Sequence, residues 1–175
     1  ALSGIYPFGE KSYNLWDADT QFIPYLAYFK SIFTSNTDFI YSLSKAGGSD
    51  MFSFNACYIN NPLNFIVFLF PDDRLDIAFQ TITIIKTGLC ALTFNYFLNH
   101  DKEYDIKTLF FSTAYALSTY SIYHSQSIMG FEGMIMLPLA LGGIEKILRY
   151  QKCLLYISTC ALTFVMEPYA GYVVL

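Results

Sequence analysis

The chain has 175 residues, of which 54% are hydrophobic, 19% aromatic and 14% charged. Soluble domains average about 25% charged residues, so this composition is typical of a membrane protein. The apolar content excludes a disordered chain, and ten basic against fourteen acidic side chains argue against a nucleic-acid partner.

Two carboxylates near the start of the chain are the first candidates for chemistry. Asp17 and Asp19 lie two residues apart beside Trp16. Such a pair supplies a general base and a partner that tunes it or helps to hold a divalent cation. The alternative is a helix start, in which Asp17 or Asp19 caps the apolar stretch 22–33. The two roles are compatible, because a capping carboxylate can also face a ligand.

A glycine-containing stretch follows at residues 41–51. Its small residues allow a ligand to approach the backbone closely, and Lys45 can neutralise a phosphate. The stretch contains no GxxxxGK[ST] sequence, so a flexible turn is the favoured interpretation and a nucleotide site the alternative.

Four long apolar segments then predict transmembrane helices. Each approaches the roughly 20 residues that cross about 30 Å of hydrocarbon, whereas barrel strands would be about 10 residues long and alternate in polarity. The segments are residues 77–98, 106–124, 128–148 and 153–175. The apolar run 65–70 lies between two prolines and is too short to span, which predicts an interfacial or re-entrant helix.

Basic residues in the loops predict the orientation of these helices. The connections after the first and third segments carry Lys102, Lys107, Lys146, Arg149 and Lys152, whereas the opposite turns carry only Arg74. The positive-inside rule places the basic connections in the cytoplasm. We therefore expect an external loop of short interfacial helices at 1–76 and a bundle of four transmembrane helices at 77–175. The apolar end and the Ala at position 1 predict a piece of a longer membrane protein.

Three ionisable residues lie inside the predicted helices. Lys86 is about 13 Å and Glu132 about 6 Å from the external surface, and Glu167 is about 9 Å from it, counting about 1.5 Å per residue. Each charge costs several kcal/mol in hydrocarbon, so the three residues are expected to form one cluster in the outer half of the bundle. An ion pair that fixes helix packing and a ligand-binding site remain alternative interpretations. Pro168, next to Glu167, predicts a break in the last helix.

The cysteines do not predict a metal or redox site. Cys57, Cys90, Cys153 and Cys160 have no CxxC spacing and no neighbouring His, and most of them lie in apolar runs.

Taken in order, these motifs resemble the YfhO family of bacterial polytopic membrane proteins, which is placed among glycosyltransferases of the GT-C fold. The matching pieces are GIYPFG at 4–9, Asp17 and Gln21 in D-x-x-x-Q, YSLSK at 41–45 with Gly48 and Asp50, PLN at 62–64, Lys86, YALSxY at 115–120, and LPL at 137–139. The resemblance covers nearly the whole chain.

The resemblance implies a transferase that moves a sugar from a polyprenyl-phosphate donor to an envelope polymer such as teichoic acid. By position, Asp17 is the catalytic residue of the external loop and Asp19 its helper. Lys45 or Lys86 would stabilise the departing phosphate. The remaining residues assigned to substrate binding are Gln21, Gly48, Asp50 and Glu132. The sequence leaves the need for a divalent cation open.

Two other classes of function remain alternatives. The intramembrane charges and the break at Pro168 are also typical of a transporter or flippase-like module. A non-catalytic scaffold for envelope assembly is the third interpretation.

Overall fold

The structure is a computed structural model that describes residues 4, 9, 17–35, 38–43, 47–52, 60–99, 105–127 and 129–174. The described chain is helical apart from one short hairpin, which confirms the predicted all-α class. It divides into two compact units, Ala1–Thr83 with Gln126–Ile128, and Ile84–Ser125 with Met129–Leu175.

The first unit begins with a π-helical turn, Ala18–Phe22, that continues into α1, Ile23–Thr34. Asp17 occupies the N-cap position, but its side chain makes no capping hydrogen bond. The predicted cap is therefore wrong for Asp17. Its backbone is already helical (φ −66°, ψ −23°), whereas a capping residue is typically extended.

Aromatic packing holds α1 in the first unit. Phe22, Leu26 and Phe29 are buried at a helical spacing of three to four residues, and the Phe22 ring stacks on Phe79 with centroids 6.4 Å apart. Phe29 makes an edge-to-face contact with Phe65 at 5.3 Å. Burial of each such ring contributes about 1.5–3 kcal/mol, so this face fixes α1 against its neighbours.

The predicted short helix at 65–70 is present as a 3-10 helix, Pro62–Leu69. Asn61 caps it, because its side chain accepts a hydrogen bond from the Leu63 amide at 2.8 Å. A second 3-10 turn, Asp72–Arg74, then leads into α2, Leu75–Asn99. The acidic residues of this turn, Asp72 and Asp73, lie at the helix start, where the positive end of the helix dipole stabilises them.

Helix α2 has the dimensions of a membrane span. Together with the preceding turn, Asp72–Asn99 forms 28 helical residues with a mean hydropathy of 1.5 in its most apolar window. It is the one helix in the described parts of the chain that is long and apolar enough to cross a membrane.

The remaining helices belong to the second unit and are shorter or carry more charge. Helix α3 spans Ile106–Ala116, α4 Thr119–Tyr123, α5 Phe131–Tyr150, α6 Leu154–Met166 and α7 Pro168–Val174. A 3-10 turn, His124–Gln126, follows α4.

Two of the four predicted segments are interrupted, one of them at the break that Pro168 predicts. The segment 106–124 breaks at Ser118, whose backbone is extended (ψ 160°). The segment 153–175 breaks at Glu167 (φ −154°, ψ 96°), because Pro168 has no N–H for the next helical bond. The Pro138 ring, by contrast, lies inside an α5 that continues to Tyr150.

Small residues allow α5 and α6 to approach closely. A Cβ on Gly143 would lie 2.8 Å from the Tyr156 backbone nitrogen, too close for any side chain. Thr159 and Thr163, one turn apart on α6, are buried. Close approach at small residues is the usual basis of helix packing in membranes.

Candidate functional site

A buried ion pair joins α2 to α5. The Lys86 ammonium donates to Glu132 Oε1, and the two residues are 1% and 3% exposed. Lys86 lies near the middle of the spanning-length helix, and Glu132 lies in the first turn of α5. An unpaired charge at this depth would cost several kcal/mol, so each residue offsets the burial of the other.

Glu167 is the third member of this group, which we call the charge cluster (Lys86, Glu132 and Glu167). It lies at the break between α6 and α7 and is 4% exposed. The Gly130 amide donates to both of its carboxylate oxygens at 3.3 Å, and Gly130 lies two residues before Glu132. The predicted clustering of the three residues is thus present in the structure.

The turn before α5 shapes one wall of the cluster. Gly130 has φ +95°, a conformation that favours glycine. A Cβ at this position would lie 2.9 Å from the Tyr120 hydroxyl oxygen, and the Tyr120 ring packs on His124 at 4.2 Å. Gly130 therefore has two roles: its amide donates to Glu167, and its lack of a side chain leaves space for the Tyr120 hydroxyl.

Apolar packing encloses the cluster on another side. Cys90, Ala116, Phe131 and Ile135 form a buried hydrophobic group, which confirms a structural role for Cys90. The Tyr115 hydroxyl donates to the Met134 carbonyl at 2.9 Å and ties α3 to α5. Tyr115 thus contributes to helix packing. Chemically, the cluster can fix helices, hold a proton or cation, or meet a charged ligand.

The predicted catalytic pair lies in the first unit. Asp17 and Asp19 are both exposed at the start of the π-helical turn, and Gln21 is half-buried one turn after Asp17. The three residues share one short helical segment, so they are positioned as a group. Exposed carboxylates of this kind can accept a proton from a hydroxyl group that approaches the helix start.

The glycine stretch forms a hairpin of β1, Tyr41–Ser42, and β2, Ser49–Asp50, with Tyr41 opposite Asp50. Gly48 has φ +130°, and a Cβ there would collide with the Tyr41 hydroxyl oxygen. The close approach that the sequence suggests at Gly48 is therefore made by a tyrosine of the same hairpin. Asp50 accepts a hydrogen bond from the Phe52 amide at 3.0 Å. Lys45 and Cys57 lie outside the described residues.

A polar groove in the first unit is a feature that the sequence does not indicate. It measures about 260 Å³ and is lined by Lys30, Ser31, Thr34, Ser35 and Asp72, among others. Lys30 bonds to the Phe70 carbonyl at 2.7 Å and to Asp72 at 2.6 Å. Lys30 therefore connects α1 to the beginning of α2.

Sequence reasoning also missed the part played by Gly130 and Tyr120 at the charge cluster. A glycine directly before an apolar helix start is the only local signal for Gly130, and nothing local pairs it with Glu167, 37 residues later.

No group of three or more His, Cys, Asp or Glu in the described ranges could hold a metal ion.

A helical chain with a spanning-length helix and a charge cluster buried on it is typical of an integral membrane protein. The chain belongs to the family described as bacterial membrane protein YfhO, whose family model matches residues 1–175. This confirms the resemblance drawn from the sequence. No curated protein and no solved structure matches the chain.

Proposed function

We propose that the protein is a multi-spanning membrane glycosyltransferase of the GT-C fold. It would transfer a sugar from a polyprenyl-phosphate donor to a cell-envelope polymer such as teichoic acid on the external face of the bacterial membrane. The observation that carries the proposal is the exposed carboxylate of Asp17 at the first helix start of a YfhO-family chain. In enzymes of the GT-C fold, an acidic residue of the first external loop acts as the base or positions the acceptor.

The proposed reaction is a direct displacement at the anomeric carbon of the donor sugar. Asp17 takes the proton of the acceptor hydroxyl, whose oxygen forms the new glycosidic bond while the bond to the lipid phosphate breaks. Asp19 assists by holding the acceptor or tuning Asp17. Both carboxylates are exposed, so an acceptor polymer can reach them without rearrangement of the helix.

The departing phosphate needs a cation near its developing charge, and Lys45 and Lys86 are the two candidates. Because Lys86 is paired with Glu132, its use would require exchange of that partner for phosphate. Gln21, Gly48 and Asp50 are proposed to bind the sugar or the acceptor beside Asp17, and Glu132 to contribute from the cluster.

The test is sugar incorporation into envelope polymers by cells that carry the full-length parent protein or its Asp17→Asn form. Removal of a general base typically costs 10²–10⁴-fold in rate, so we expect loss of one sugar at an unchanged protein level. The matched control is Asp73→Asn, since Asp73 is another exposed acid of the same unit. Full incorporation by Asp17→Asn would contradict the catalytic role of Asp17.

A transporter or flippase-like module is the second candidate, favoured by the break at Glu167 beside two buried charges. A transporter depends on the charge cluster and tolerates Asp17→Asn, whereas the transferase loses turnover and keeps donor binding. If neither Asp17→Asn nor substitutions in the charge cluster change sugar incorporation into envelope polymers, a role as a scaffold in envelope assembly is supported instead.

A further inference from the structure

The charge cluster contains two acids and one base. Lys86, Glu132 and Glu167 come from α2, α5 and the break before α7, and each is at most 4% exposed. With both acids ionised the cluster would carry a net charge of −1 in a low-dielectric site. Such a charge is very costly unless another positive charge or a proton accompanies it.

The closeness of the two carboxyl groups indicates that a proton offsets the net charge of the cluster. The Glu167 carboxyl group is bound by the Gly130 amide at 3.3 Å, and Glu132 lies two residues after Gly130, so the two carboxyl groups are neighbours in the same buried site. Two carboxylates have no donor to place between them, because an ionised carboxylate only accepts. A single proton between them makes this closeness favourable and leaves one carboxylate to balance the Lys86 ammonium.

The other partners of the two acids fit this assignment. Glu132 Oε1 accepts a hydrogen bond from the Lys86 ammonium, so Glu132 is the acid expected to be ionised. Among the described residues, the hydrogen bonds that Glu167 accepts on its carboxyl group come from the neutral Gly130 amide, at a long 3.3 Å. In the part of the chain that the structure describes, the titratable or charged groups that face the two acids are Lys86 and Cys90 on α2 and Tyr120 on α4. Tyr115 and His124 lie one step further away, beside Cys90 and Tyr120.

We propose that Glu167 holds one exchangeable proton, which it shares with Glu132, at the break between α6 and α7. In this state the cluster is neutral. Release of the proton to water breaks one O–H bond and leaves two carboxylates against one ammonium. Uptake reverses the step, and no other bond changes. The proposal does not depend on the transferase activity.

The position of Glu167 links this proton to the backbone. Glu167 is extended between two helices, and its amide and carbonyl bond to Thr163 at 2.8 Å and Gly171 at 3.0 Å. A change of charge on this side chain therefore acts at the point where α6 ends and α7 begins. Ionisation strengthens its attraction to Lys86 and its repulsion from Glu132.

The test is infrared difference spectroscopy of the full-length protein in lipid nanodiscs, recorded between low and high pH. A buried carboxylic acid gives a carbonyl stretching band that is separate from the bands of carboxylates. We expect this band in the wild type and its loss in Glu167→Gln. The matched control is Glu145→Gln, since Glu145 is a half-buried acid on α5 that pairs with Arg149 at 2.7 Å.

Two further variants keep the proposal testable if Glu167→Gln does not fold. Glu132→Gln leaves Glu167 to balance Lys86, so the acid band is expected to vanish. Lys86→Met combined with Glu132→Gln removes one charge of each sign and should restore the band. An unchanged band in both Glu167→Gln and Glu132→Gln would overturn the proposal. So would loss of the band on adding Na⁺ at constant pH, which would assign a metal cation to the site.

Discussion

At the scale of single residues, the charge cluster is the place where the stability of the second unit depends most on electrostatic interactions. A buried pair contributes little compared with apolar residues of the same shape, but breaking it leaves an uncompensated charge. The effect of a substitution at Lys86 therefore depends on what is left behind at Glu132 and Glu167.

We expect Lys86→Met to lower the free energy of unfolding by about 3–5 kcal/mol, because Glu132 loses its counter-charge. Thermal denaturation of the full-length protein in detergent measures this change. The control is Lys107→Met, since Lys107 is 80% exposed and 3.8 Å from Asp105, a pair worth at most about 1 kcal/mol.

Partial recovery of stability is expected when Lys86→Met is combined with Glu132→Gln, because the two residues act as one unit. Strictly additive losses in this double mutant would contradict the coupling of Lys86 to Glu132.

At the scale of elements, the packing of α5 on α6 depends on a single missing side chain. We expect Gly143→Ala to cost about 1–3 kcal/mol of stability, because the added Cβ meets the Tyr156 backbone. The matched control is Gly88→Ala on α2, where a Cβ meets nothing within 4 Å. Melting temperatures of the two variants check the prediction, and an equal effect at both sites would contradict it.

The helix Pro62–Leu69 carries a second prediction at this scale. Phe33, Phe65 and Phe68 form a group of rings with centroids 5.5–6.0 Å apart, and Phe33 and Phe65 are more than half exposed. Three residues from Leu69 to Asp72 span at most about 10 Å, so the group is held close to the end of the spanning-length helix. We therefore expect these rings to lie in the membrane interface.

Fluorescence of Phe65→Trp in a Trp16→Phe background measures the depth of this helix. We expect blue-shifted emission and quenching by brominated lipids, with unbrominated lipids as the reference. Phe39→Trp, an exposed ring outside the group, should be quenched less. Water-like emission from Phe65→Trp would show that the helix lies off the membrane.

The elements also show what the sequence could and could not predict. The helices predicted at 77–98 and 128–148 correspond closely to Leu75–Asn99 and Phe131–Tyr150, because long apolar runs leave few alternatives to a helix. The break at Glu167 was predictable from Pro168. The break at Ser118 was not, since neither Gly nor Pro marks it. The charge cluster could be predicted because its three residues lie at similar depths from the external surface. The hydrogen bond from Gly130 to Glu167 could not, since it depends on a backbone conformation that hydropathy does not report.

At the scale of the whole molecule, membership of the YfhO family accounts for the full length of the chain. Orientation in the membrane and the number of crossings remain predictions from the distribution of basic residues. They place the turn at His124–Gln126 outside the cell and the connection after α5 inside.

Cysteine labelling tests this arrangement in the full-length protein after its native cysteines are replaced. We expect Ser125→Cys to react with an impermeant maleimide on intact cells, and Lys152→Cys to react only after permeabilisation. Both positions lie in the described turns that flank α5. Labelling of both from the same side would reject α5 as a membrane-crossing helix.

The ion pair between α2 and α5 has a consequence for biogenesis. Glu132 is synthesised 46 residues after Lys86, which corresponds to about 2–9 s of translation. During that interval the ammonium has no Glu132 to bind, and a lysine at a helix centre costs about 2.5–3.5 kcal/mol on insertion scales. We therefore expect α2 to remain beside the translocon until α5 emerges, so that the two helices enter the lipid as a pair.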